Sequence, residues 1–559
     1  MLQCRSSMVG LCCLWLSVLL FAFSLALVGC GGSPEATEPP EEPADETAEE
    51  SEEEPPEEEE PVSTDLMIGY YREFTILDPH KSSASMDSVP MNAIYDRLVE
   101  VNRSEDGALY PGLATEWSTS EDGLVWTFKL RDDVMFHDGT PFNAQAVKFN
   151  FDRIVDPETA SQSAVFGMGP YVETRIVDEY TVEVVHEYPF GPFLLRGGST
   201  GMISPEGVEN HGEEFGQNPV GSGPYKFVEW VGGSHVMLEK NHDYTPVVSF
   251  NSDEAFYETI KFQFIEEDST RAAALQTGEV DAASNMAAND FLRLRDSGDF
   301  GVHVYNTLGA PPAGLQLNVM KEPTDDIRVR RAIIHAVDSE LVREVVYEGI
   351  PIPSGGILSR LDYFYNPEAG EMYDYGNTEL AADLLDEAGW LLESDGMRYK
   401  DGEPLELYYL TLPGVRTVAE VIQPMLVDMG ADVEIWALDN PMQQNTAQDG
   451  DHNIVWTQWG GGDPSGLSGR FHSENIGTGW NFYHYSNPEV DELFFEGERT
   501  TDLDERKAIY DRIQYILMED ALMVPLNNYA LMWAFRPEIK GWEPAGGSGW
   551  FGYLVNLYE

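Results

Sequence analysis

Trp126-Thr127-Phe128-Lys129-Leu130-Arg131-Asp132-Asp133-Val134-Met135-Phe136-His137-Asp138-Gly139-Thr140-Pro141-Phe142 divides into a β-type run and a turn. The first five residues predict a short strand. From Arg131 onward the residue types are those of turns and packing positions, so His137 and Asp138 read as structural residues and not as ligands. Outward from this stretch, further β-type runs at Thr181–Val185 and Lys261–Ile265 alternate with helical stretches. A helix is predicted from Ile327 to Val346, opened by the capping residues Thr324-Asp325-Asp326. A second runs from Glu379 to Ala388 and stops at Gly389, and a third from Leu503 to Met518 begins after Asp502. Strands interleaved with helices predict an α/β architecture with mixed sheets. No repeat of 20 to 50 residues is present, which disfavours a propeller or solenoid.

The chain has 559 residues, with 98 Asp and Glu against 33 Lys and Arg, a net charge of −65. That length exceeds one core and predicts two or three domains. Hydrophobic residues make up 42%, enough to build them. The charge argues against nucleic acid as a partner, since no basic stripe exists to meet phosphates. It equally disfavours adsorption to an anionic membrane surface.

All four cysteines lie in the first thirty residues. An apolar run from Leu11 to Val28 leads into Leu27-Val28-Gly29-Cys30, which fits a bacterial lipobox. The run is also about long enough to cross a membrane uncleaved. A low-complexity stalk beginning directly after Cys30 favours cleavage and lipidation of that cysteine. Residues 34–60 carry fifteen acids and no Lys or Arg. Self-repulsion and the lack of apolar residues predict an extended, disordered tether, with an interaction tail as the alternative. The body beyond it is acidic in its own right, at a net −51 over residues 61–559. An acidic, lysine-poor surface suits hydration in concentrated salt.

Enzyme signatures are weak. Gly197-Gly198-Ser199-Thr200-Gly201 fits G-x-S-x-G, but Pro205 opposes the helix that a nucleophile elbow needs. Gly460-Gly461-Gly462 lacks the Lys-Ser/Thr of a phosphate cradle. The eleven histidines show no zinc spacing, and no calcium loop occurs, so no metal and no cofactor are expected. His335 reads as a core residue, whereas His472 and His484, near aromatic-rich loops, are either solvated or in reach of a ligand. Ile454-Val455-Trp456-Thr457-Gln458-Trp459-Gly460-Gly461-Gly462-Asp463-Pro464 is suited to recognition. Its tryptophans offer stacking faces, its glycines allow close backbone approach, and Asp463 could pair with a ligand cation. A core tryptophan pair followed by a turn is the plainer reading of the same residues.

Several blocks in order resemble the extracellular solute-binding proteins of ABC importers, peptide/nickel class (family 5). They are Leu77-Asp78-Pro79-His80, Ile94 to Val99, Leu113 to Trp117, the stretch from Trp126 to Phe142, Val220 to Phe227, Ala274 to Asp281, Arg328 to Ile333 and Asn487 to Asp491. The resemblance covers about Leu66 to Glu559. It implies an α/β, type II periplasmic-binding-protein-like fold, bilobal with an extra inserted subdomain, of the large three-domain kind. The implied layout is a signal peptide over 1–30 and a stalk over 31–61. Lobe I then spans 62–305 with the insert at about 98–215, lobe II spans 306–525, and 526–559 returns to lobe I. The hinge would lie near Gly314–Asn318 and near Pro525-Leu526.

The resemblance also implies the function. A lipid-anchored extracytoplasmic monomer would capture a small, peptide-like solute in the interlobe cleft and deliver it to ABC permease subunits, without chemistry on the solute. The family's ligand loops map onto Ser82, Ser83 and Ala84 and onto Trp459, Gly460, Gly461, Gly462 and Asp463. Asp463 would meet a peptide amino group, although many relatives carry two aspartates in a longer loop. The strand Leu405–Leu412, with Tyr409, would line the pocket but lacks the arginine of the dipeptide branch. Longer peptides, or a sugar-like, cationic or metal-chelate solute, therefore stay open, as do an extracellular hydrolase and a surface lipoprotein without ligand.

Overall fold

The computed structural model describes residues 64–102, 108–247, 255–306, 312–458, 463–528, 530–542 and 554–558. The stalk, Cys30, Trp459, Gly460, Gly461 and Gly462 lie outside them.

The strand Asp65–Tyr70 sits inside a seven-stranded sheet and pairs in parallel with Thr259–Phe264, Ile68 opposite Phe262. Leu66, Ile68 and Tyr70 alternate inward and bury with Ile260, Phe262 and Trp533. One edge of this sheet is Gly301–Asn306 beside Ala530–Phe535, so the C-terminal part of the chain returns to the sheet that its N-terminal part began.

Between those two strands the chain builds a second, five-stranded sheet. Its order is Asp432–Ala437, Glu406–Thr411, Ile454–Thr457, Ala313–Leu317, Met523–Asn527. The three strands Ile454–Thr457, Ala313–Leu317 and Met523–Asn527 are buried along their whole length, because helices cover both faces. Ala313–Leu317 and Met523–Asn527 are antiparallel neighbours, Gly314 opposite Pro525. The chain therefore enters and leaves this lobe on adjacent strands.

The stretch from Trp126 to Phe142 lies in a four-stranded antiparallel layer inserted into the first lobe: Ala114–Thr119, Val125–Leu130, Thr181–His186, Tyr171–Asp178. Trp126, Phe128 and Leu130 face a core shared with Phe151 on the helix Ala144–Val155. Beyond the strand, Gly139 takes φ +82° in a turn closed by Phe136 N–H donating to Thr140 O at 2.8 Å. His137 fastens this layer to the rest of the lobe. Its backbone N–H donates to Gly221 O at 2.8 Å, and its Nε2 lies 2.9 Å from Gly223 O. Burial lowers its pKa to about 4, so the ring is neutral.

One helix departs from its expected course. The stretch Ile327 to Val346 forms two helices, Ile327–Ala336 and Ser339–Tyr347, because Asp338 accepts from Leu341 N–H at 2.9 Å and starts a new N-terminus. The helix Leu503–Glu519 opens on Asp502, which caps Asp504 and Glu505.

Candidate functional site

The Ser82–Ala84 loop is held from beneath by Asp87. This buried carboxylate accepts from Thr75 N–H at 2.9 Å, Ile76 N–H at 3.3 Å and Ser82 Oγ at 2.7 Å. Burial pushes its pKa up, while those three donors pull it back. Ser82 Oγ accepts from Ala84 N–H at 3.2 Å, and the exposed Ser83 donates to Gln162 of the inserted layer at 2.9 Å. The loop thus bridges the seven-stranded sheet and the insert.

Behind it lies a recess of about 290 Å³ between Ser82, the helix Ser88–Ile94, and the insert segment Arg196–Gly201. Both Arg97 and Arg196 line it. Arg97 is spoken for by Glu100 at 3.1 Å and by Asn92. Ser199, also in the wall, donates to Leu195 O at 2.7 Å, and no histidine is among the described residues that line the recess. Its G-x-S-x-G match is a turn.

On the second lobe, Asp463 is buried and already paired. Arg506 grips both carboxylate oxygens, Nη1 to Oδ2 at 2.7 Å and Nη2 to Oδ1 at 2.6 Å. Asp463 also accepts from Ser465 N–H at 2.9 Å and so caps the short turn Pro464–Leu467. Burial alone would raise its pKa, but the Arg506 guanidinium outweighs burial and holds it at about 2. Arg506 in turn lies over the Phe364 and Tyr510 rings and donates Nε–H to Gly497 O at 2.8 Å. The carboxylate expected to meet a ligand amine thus has its charge and both oxygens engaged by the protein. Tyr409 is 0% exposed and packs in the core of the second lobe, away from any solvent-facing wall. Its predicted place in the pocket does not fit that burial.

Two histidines near the aromatic loops are engaged as well. His472 Nδ1 accepts from Glu474 N–H at 3.2 Å, and His484 Nε2 lies 2.9 Å from Ala447 O. His335 Nδ1 lies 2.8 Å from Asp374 O and packs on Tyr373. Among the described residues no group of three or more His, Cys, Asp or Glu is placed to hold a metal ion.

The second lobe and the insert also touch directly. Arg499, at the end of the helix Pro488–Arg499, stacks on Tyr188 of the insert at 5.0 Å, and Tyr188 donates to Glu498 at 3.4 Å. Beside them Gly191 approaches Thr500 so closely that a Cβ would fall 1.9 Å from its carbonyl oxygen and 3.1 Å from Arg506 Cδ. The buried Asp463–Arg506 pair therefore sits directly under this contact.

Arg196 was not singled out from the sequence, yet a signal existed. It is the only Lys or Arg between Arg175 and Lys226.

Residues 108–477 match the family described as bacterial extracellular solute-binding proteins, family 5 Middle. The glutathione-binding protein GsiB of Pectobacterium atrosepticum is 29% identical over 501 residues, covering 85% of this chain and 91% of that protein. Among solved structures, NikA from Brucella suis in complex with Fe(III)-EDTA superposes with TM-score 0.75 at 26% identity, over 88% of this chain and 99% of NikA. DppA from Helicobacter pylori in complex with the peptide STSA superposes with TM-score 0.66 at 26% identity, over 88% and 98%.

Proposed function

The chain belongs to the bacterial extracellular solute-binding proteins of family 5, and we propose that within it this protein captures a peptide-like solute between its lobes for an ABC importer permease. The observation that carries this reading is the pair of adjacent strands by which the chain enters and leaves the second lobe, combined with the direct contact between that lobe and the insert. In this reading a solute held beside Ser82–Ala84 is enclosed when the second lobe closes over it. A solute favours the closed form only through the contacts it gains there. GsiB and DppA, whose names record a tripeptide and a peptide, support a peptide cargo over a sugar. NikA's chelate supports a second reading, in which the same polar recess takes the carboxylates of a metal chelate.

Asp463 enters this reading as an internal counter-ion that sets the loop above it, not as the amine acceptor. The solute's amino group then falls to backbone carbonyls or to strand-like pairing.

Glutathione and short peptides are the first solutes to titrate. At a hundredfold excess over Kd the unfolding free energy is expected to rise by about 2.7 kcal/mol, with the midpoint climbing as solute is added. A midpoint indifferent to every peptide, together with product formation from any of them, would sink the capture reading in favour of hydrolysis.

Among the described residues no helix is long and apolar enough to cross a membrane. We attribute attachment to a lipid on Cys30, with residues 31–61 as its tether. Cys30→Ser is expected to move the protein from the membrane fraction to the soluble fraction, or to leave an unprocessed precursor. Continued membrane attachment of a processed Cys30→Ser chain would refute the anchor.

A further inference from the structure

We propose that Asp96 is a proton switch in the joint between the insert and the rest of the first lobe: protonated it keeps the joint together, and ionised it loosens it. The chain enters the insert through Tyr95 to Val99. There Asp96 O accepts from Met202 N–H at 2.9 Å, Val99 N–H donates to Gly198 O at 3.0 Å, and Arg97 forms an antiparallel bridge with Gly201. The Asp96 side chain reaches the first lobe instead, accepting from Ser222 Oγ at 2.8 Å and from Tyr244 OH at 3.2 Å. Both sides of the joint therefore meet on this one residue.

Among the described residues five carboxylates are buried: Asp78, Asp87, Asp96, Glu100 and Asp463. Asp78, Glu100 and Asp463 are each paired with an arginine, and Asp87 accepts from two backbone N–H groups. Those donors serve only an anion. Asp96 is bonded through its carboxyl to two hydroxyls and, among the described residues, to no cation. A hydroxyl donates to a carboxylate or accepts from a carboxylic acid equally well, so this site accommodates both forms. The charged groups facing it do not fix its state. Arg97 is shared with Glu100 on the same run, and Arg131, beyond the strand Val125–Leu130, is held by Asp133. His137, behind Gly221–Gly223, is neutral. Burial raises the Asp96 pKa to about 7, with Glu100 adding to it, against the pull of the hydroxyls and Arg97.

The sign follows. The folded protein keeps a proton that the unfolded chain gives up near 3.8, so the stabilisation is complete below about pH 4 and is lost as pH rises through about 7. Ionised Asp96 adds a second buried negative charge beside Glu100, with Arg97 as their shared counter-ion, and relief comes from admitting water. Tyr95 and Arg97, its two neighbours in sequence, line the 290 Å³ recess, so the charge arises directly behind that wall whatever solute is held there.

The test uses purified full-length protein without solute. Difference infrared spectra of wild type against Asp96→Asn are recorded from about pH 6 to about pH 8, where exposed carboxylates are ionised. Backbone hydrogen exchange is read by mass spectrometry over 94–101 and 198–204, with the intrinsic pH dependence of exchange divided out. Wild type is expected to show a protonated-carboxyl band at the acid end that Asp96→Asn lacks. Its exchange in both segments is expected to speed up by about threefold or more towards the alkaline end, while Asp96→Asn stays slow throughout. Tyr244→Phe removes a donor to the anion and is expected to move the transition to higher pH. No difference band, or wild-type exchange as indifferent to pH as that of Asp96→Asn, overturns the proposal. Should Asp96→Asn not fold, wild type and Tyr244→Phe decide it: a transition displaced in Tyr244→Phe upholds the switch, and one that is missing or undisplaced overturns it.

Discussion

Asp463→Ala loses about 3–5 kcal/mol of unfolding free energy, because it leaves the Arg506 guanidinium buried without a counter-charge. Arg506 is 1% exposed, and Phe364 and Tyr510 cover its faces, so water cannot replace the carboxylate without opening the packing. The loss is expected in urea or thermal unfolding of the protein without solute. Replacing both partners, Asp463→Leu with Arg506→Met, recovers most of it, since two apolar side chains of similar volume need no counter-charge. The pH dependence follows from the same pair. The Asp463 carboxyl is depressed below its ordinary 3.8 to about 2. Its contribution is therefore complete above about pH 4 and disappears as pH falls through about 2. An Asp463→Asn protein that unfolds like wild type but loses peptide affinity would reverse this assignment and return Asp463 to the ligand.

Gly191→Val weakens solute binding by about tenfold or more while leaving the stability of each lobe close to wild type. The added Cβ meets the Thr500 carbonyl at 1.9 Å, and this is backbone at the end of a packed helix, not the tip of a flexible side chain. The clash is relieved most cheaply by parting the insert from the second lobe. The open form is then favoured, and the solute must supply the difference before it is held. Small-angle scattering with saturating solute is expected to show a larger radius of gyration for Gly191→Val than for wild type. Equal radii and equal affinity would mean that this contact plays no part in closure.

Local chemistry was legible in the sequence, and distant pairing was not. The run Trp126–Leu130 is the strand that was expected, and Asp502 caps the helix that it was read to open. Asp338 broke a helix that looked continuous, because an aspartate within a periodic run gives no sign of whether it caps or merely faces solvent. For Asp463 the residue type pointed to an ion pair, but its partner lies 43 residues away on another helix. A ligand amine and an internal guanidinium satisfy the same carboxylate, and only the fold distinguishes them. Tyr409 sits on the strand where it was expected, but the helices covering that sheet hide its ring.

The paired crossings fix more than connectivity. The strands that enter and leave the second lobe are hydrogen-bonded neighbours, Gly314 opposite Pro525, so both connections to the first lobe start from one place on that sheet. A closing motion that turned about that place would give the same outer outline whichever cargo was held. A permease that met such an outline would need no knowledge of what is inside, and the cargo-contacting residues would be free to diverge without renegotiating the dock.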